Sequence, residues 1–175
     1  MNSLKKTIRN WLIGLKSKKL LKNRQQTFQL PATAPSIHKV LVILPGRLNE
    51  IESATNFVYR LKKTYPSWKI DIFDVDKLEP TDFTIFGLPK GELLNKIQRQ
   101  QYDFIIDLNT SMDLLIGYFA IQSGAVFRLH LNDASNPYYN IAYHTEFPSQ
   151  NNFASLLSYI EKIFVHRNLA EVTSP

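Results

Sequence analysis

Glu50 and Asp107 are the two carboxylates of this 175-residue sequence best placed to act as a base or to orient a ligand hydroxyl. Glu50 follows an apolar run that reads as a buried strand, HKVLVIL at 38–44, and Asp107 lies at the end of another, YDFIIDL at 102–108. Open α/β sheets bind ligands beyond the carboxyl ends of their strands. Around Glu50 the run Pro45-Gly46-Arg47-Leu48-Asn49 leads into a helix. Its glycine permits a tight turn, and the helix N-terminus that follows can receive an anion. Gly46, Arg47 and Asn49 are therefore candidate ligand contacts. One glycine is neither G-x-G-x-x-G nor a P-loop, so dinucleotide binding finds no motif here. The same residues also suit a plain turn in which Asn49 or Glu50 favours the first-turn dipole. After Asp107 come Asn109, Thr110, Ser111 and Asp113. Asn109 and Thr110 join the candidate contacts, although Asn109, Thr110 or Ser111 would equally cap the next helix. A third cluster, Asn132, Asp133 and Asn136, precedes Pro137 in a turn-like run, and Asn132 and Asp133 complete the candidate set.

Other chemistries find no support. There is no cysteine, which removes disulfides, thiolate metal ligands and cysteine nucleophiles. His38, His130, His144 and His166 lack the short pair spacings of zinc ligands, and no G-x-S-x-G elbow is present. We expect neither a metal nor a cofactor.

The elements that must position these residues follow from hydrophobic periodicity. After the first strand, Ile51, Ala54, Phe57, Val58 and Leu61 mark a helix closed by Tyr65-Pro66. WKIDIFDV at 68–75 alternates as a second strand. A Pro- and Gly-punctuated connection follows at 79–89, then a short helix at 93–100. Beyond the 102–108 strand come a helix at 112–122, a strand at 125–131, a possible strand at 138–143 and an amphipathic helix at 153–164. This alternation predicts an α/β fold: a single Rossmann-like, mostly parallel sheet with helices on both faces, preceded by a basic amphipathic N-terminal helix. The expected organisation is an arm at 1–24, a linker at 25–37, the α/β domain at 38–168 and a tail at 169–175.

Charge separates the arm from the body. Lys5, Lys6, Arg9, Lys16, Lys18, Lys19, Lys22 and Arg24 fall within the first 24 residues, which hold no acid. The chain carries +6 and this segment +8, so the body is at −2. Such a segment seeks phosphates, of RNA or of anionic lipid. Leu4, Ile8, Trp11, Leu12 and Leu15 form an apolar stripe at helical spacing, predicting a helix over about 3–16 and a basic tail of less certain form after it. Trp11 among lysines suits a membrane interface, while a stripe packed on the protein's own core or on a partner is the plainer alternative.

The residues KVLVILPGRLNEIESATNFVYRLKKTYPSWKID at 39–71 resemble the opening of heptosyltransferase-type (GT-B) glycosyltransferases. That opening has a strand, a Pro-Gly-x-Leu-Gly-Asp turn, a helix ending in a Lys-Lys-x-Tyr-Pro-like signature and a second strand. YDFIIDLNTSMDLLIGYFAIQSG at 102–124 is similar to that family's later strand and helix, so the resemblance covers about residues 38–131. It implies a one-domain, degenerate counterpart of the family's N-terminal domain. Asn49 stands where the family has glycine, and Glu50 where it has the aspartate proposed as catalytic base. The family binds its sugar nucleotide mainly through a C-terminal domain, for which this sequence has no counterpart. The whole chain also resembles an uncharacterised short protein family of Bacteroidota.

The leading expectation is a non-catalytic interaction protein, docked by its basic arm onto an anionic assembly, RNA or ribonucleoprotein first and an anionic membrane second. A protein partner on the α/β body is a further option. A split glycosyltransferase subunit, using Glu50, Asp107 and Arg47 on a sugar-nucleotide or phosphorylated ligand, is the enzymatic alternative. The expected setting is cytoplasmic, with peripheral attachment to the inner membrane as the variant.

Overall fold

Five parallel strands in the order β3-β2-β4-β5-β6 make the central sheet: β2 (Lys39–Ile43), β3 (Lys69–Phe73), β4 (Phe104–Asp107), β5 (Phe127–Leu131) and β6 (Ile141–Tyr143). The structure is a computed structural model and describes residues 3–23, 29–131, 137–144 and 153–165. A two-stranded parallel ribbon joins β1 (Ala32–Thr33) to β7 (Phe164–Val165). The α/β architecture, with its mostly parallel sheet, helices on both faces and N-terminal helix, is as the periodicity predicts.

Strand side chains alternate between two cores. Val40, Val42, Phe104, Ile106 and Leu129 face the core completed by α2 (Leu48–Thr64) and α5 (Phe153–Ile163). Leu41, Ile43 and Ile105 face the other, completed by α3 (Gly91–Arg99), α4 (Leu114–Gln122) and α1 (Ser3–Asn23). Covering on both sides is why β2 and β4 read as continuous apolar runs.

The α4 helix explains the position of α1. Every residue from Leu115 to Ile121 is buried. A helix apolar all round must be covered on all sides, and α1 packs across it. Gly117 permits close approach on α4: a side chain there would meet the Tyr138 ring at 2.9 Å.

The helix expected over about 3–16 continues to Asn23, because Leu20 and Leu21 extend its inward face against the core. The expected linker also acquires structure. Ala34 and Ile37 are buried, and Trp68 Nε1 donates to the Ala34 carbonyl at 3.1 Å. Residues 25–28, 132–136 and 166–175 lie outside the described residues, and with them Asn132, Asp133, Asn136, His166 and the expected tail. Arg24 does too.

Candidate functional site

The chain leaves β2 towards β3 on one side and returns to β4 on the other, so β2 and β4 flank the topological switch point of the sheet. The first two sequence clusters meet there, and Asn109 joins them. Its Oδ1 accepts from the Gly46 N–H at 3.1 Å, and its Nδ2 donates to the Leu44 carbonyl at 3.2 Å and to Asp107 Oδ1 at 2.8 Å. The Asn109 N–H also donates to Asp107 Oδ1, at 3.0 Å. Asn109 is thus a bridge between loops. The cap of α4 is instead Asp113, whose carboxylate accepts from the Leu115 N–H at 2.7 Å.

Asp107 is fully enclosed. The Tyr139 hydroxyl donates to its second oxygen, and the Tyr139 ring lies 4.9 Å from that of His130. Burial pushes the Asp107 carboxyl above its ordinary range, against the opposing pull of the Tyr139 hydroxyl, His130 and Asn109. Burial, then the Asp107 charge, pushes the Tyr139 hydroxyl up in turn. Both ring nitrogens of His130 are buried without a hydrogen-bond partner among the described residues. Tyr139 and His130 are the members of this cluster that sequence reasoning missed; the β4–β5 register, which pairs Asp107 with His130, is what unites them.

Glu50 lies in the first turn of α2 and is buried. Its Oε1 meets Arg47 at 3.3 Å, while its Oε2 is buried with no partner among the described residues. Asn49 is exposed, and Thr110 is half-buried. Asp76 Oδ2 stands 3.9 Å from where a side chain on Gly46 would begin. Glu50, Asp76 and Asp107 crowd this end of the sheet with carboxyl groups, and Arg47 is engaged with one of them. What the arrangement leaves open, among the described residues, is a buried hydrogen-bond acceptor at Glu50 Oε2. Among the described residues, no group of three or more acidic or histidine side chains is placed to hold a metal.

The second candidate region is α1. Its inward face carries Arg9, Ile13 and Ser17, all buried, with Leu12, Leu20 and Leu21 half-buried. The predicted apolar stripe is split: Leu12 turns inward against the core, while Leu4, Trp11 and Leu15 point outward. Leu4 is 70% exposed, Trp11 64% and Leu15 47%, with Ile8 half-buried at the margin. Lys5, Lys6, Lys16, Lys18, Lys19 and Lys22 are all exposed. Sequence reasoning found the stripe and missed Ile13, the residue that seats the helix. Among the described residues, no helix is long and apolar enough to cross a membrane.

Sheet order and helix placement define the class: a single-sheet parallel α/β protein whose N-terminal basic helix is seated on the body. The chain belongs to DUF6913, a family of unknown function, whose family model matches residues 9–163. No curated protein and no solved structure matches the chain.

Proposed function

We propose that this protein is an interaction module that α1 attaches to an anionic surface, and that the surface is a lipid bilayer. The observation that carries this reading is the outward placement of Leu4, Trp11 and Leu15 on a helix with no acid and six exposed lysines. An interfacial helix inserts apolar side chains to the headgroup boundary while its lysines meet lipid phosphates. A groove for RNA would present cations and stacking rings, and leucines at its centre would meet only charge. Ile13 on the opposite face holds the helix to the body, so the α/β domain would be carried at the membrane surface.

The test is vesicle flotation with phosphatidylcholine alone and with about a third phosphatidylglycerol. The full chain should float only with the anionic vesicles, and Trp11 emission should shift to the blue while buried Trp68 holds constant. Trp11→Asp should abolish both. If vesicles leave the protein unmoved and RNA retains it in a salt-dependent way, the bilayer reading fails and the ribonucleoprotein one replaces it.

One observation favours a second reading, a glycosyltransferase-like subunit acting on a hydroxyl: the buried, unpartnered Glu50 Oε2 beside the switch point. Saturable stabilisation by a nucleotide sugar, lost in Glu50→Gln, would support it. Silence across a panel of such compounds would remove it.

A further inference from the structure

Among the described residues, Arg9 is a cation without an anion. It is 7% exposed, and its one hydrogen bond among those residues is long, from Nε to Asn10 Oδ1 at 3.4 Å. No carboxylate lies within 4 Å of it among the described residues. A buried guanidinium costs stability unless its charge is met.

Its surroundings form a groove of about 400 Å³ between the first turns of α1 and the segment at 78–87. Lys5, one turn before Arg9, shares the lining with Leu78, Pro80, Phe83 and Ile85. The far wall is a compact turn in which the Thr84 N–H donates to the Leu88 carbonyl and the Gly87 N–H to the Thr84 carbonyl, each at 2.8 Å. Gly87 has φ +76°, a backbone conformation that favours glycine, and the Arg9 stem lies against it, with Cδ 3.5 Å from where a side chain would start. The acids of the same segment are engaged elsewhere: Asp82 accepts from the Glu79 N–H at 2.9 Å, and Glu79 accepts from the Thr81 hydroxyl at 3.2 Å. The groove therefore presents two cations above an apolar floor. The turn ends in exposed Ile85 and Phe86.

We propose that this groove is a binding site for the headgroup phosphate of an anionic phospholipid, with Arg9 and Lys5 on the phosphate and Phe83 and Ile85 against the first part of the acyl chains. The inference rests on the bilayer reading above and sharpens it from attraction by any anionic surface to recognition of one lipid at a defined place. Arg9 is the principal contact, because a guanidinium pairs with two phosphate oxygens at once.

Dihexanoyl phosphatidic acid, kept below its micelle concentration, separates this site from membrane docking. Calorimetry on the full chain should show one saturable site, tighter by about 10-fold or more than inorganic phosphate, because only the lipid uses the apolar floor. Arg9→Met, which keeps the packed stem, should weaken it by about 10-fold or more, and Lys5→Gln by about threefold. Ile85→Asp changes an exposed side chain, so the fold should be kept while binding is lost; it is the deciding variant if Arg9→Met melts early. Trp11→Asp should leave binding of the short lipid intact. Absence of saturable binding, or binding indifferent to both Arg9→Met and Ile85→Asp, overturns the site while vesicle docking through Trp11 stands. Equal affinity for inorganic phosphate overturns the lipid assignment. Binding of the short lipid without any vesicle docking removes the bilayer reading and with it the assignment to a membrane lipid.

Discussion

The switch-point end of the sheet and the outer face of α1 are opposites in charge and in exposure. At the strand ends, Asn109, Asp107 and Tyr139 hydrogen-bond to one another and to the neighbouring loop, and carboxyl groups dominate. On the outer face of α1, lysines surround largely exposed apolar side chains. Parallel α/β folds commonly bind ligands at the first kind of place. Here much of its polar capacity is used to tie β2 to β4, and the unpartnered surface lies on a helix added before the first strand of the main sheet.

That contrast can be broken most severely at the seat of α1. Ile13→Asp, placing a charge between α1 and α4, should cost about 4 kcal/mol or more in urea unfolding. Leu15→Asp, on the outer face of the same helix, should change stability by only about 0.5 kcal/mol and instead abolish vesicle binding. Equal effects on stability would mean that the two faces are not distinct. Next comes Asn109→Ala, which strands the Gly46 N–H and leaves Asp107 Oδ1 with the backbone N–H of residue 109 alone. A loss of about 1–3 kcal/mol is expected, with faster amide exchange at Gly46.

A subtler probe is the proton on Asp107. Its folded value is raised, so the native state keeps the proton to higher pH than the unfolded chain does. The stabilising contribution is complete below the ordinary value of 3.8 and declines as pH climbs from there through the folded value. Wild type should therefore lose stability relative to Asp107→Asn across that interval and run parallel above it. A difference that grows in the other direction would show the carboxylate to be favoured by its neighbours. Smallest is Glu50→Gln, expected within about 1 kcal/mol of wild type, since one carboxylate oxygen already lacks a partner. A loss well beyond that would reveal a contact on Oε2.

Much of this architecture was legible from periodicity. The strands β2 and β4 announce themselves as apolar runs, β5 as an alternating one, and α2 and α5 as amphipathic helices. The seating of α1 was not, because its inward face mixes Arg9 and Ser17 with Ile13 and reads as polar. The missed signal lay a hundred residues away, in LLIGYFAIQ of α4, whose lack of a polar stripe demands a cover. The pairing of β1 with β7 was also invisible, since two residues cannot show a period. At the site, sequence placed Glu50 and Asp107 at strand ends but gave Asn109 two roles, cap or contact. The structure shows a third, because bridging needs the neighbouring strand to be known.

The ribbon of β1 and β7 has a consequence for how the chain is made. Ala32 pairs with Phe164, and the Tyr65 hydroxyl donates to the Phe164 carbonyl at 3.2 Å. During synthesis the early segment emerges long before its partner does. Until Phe164 leaves the ribosome, Ala32 and Thr33 wait without that partner, so the ribbon closes only after synthesis has passed Val165. Its two-residue length makes the waiting edge a poor template for another strand.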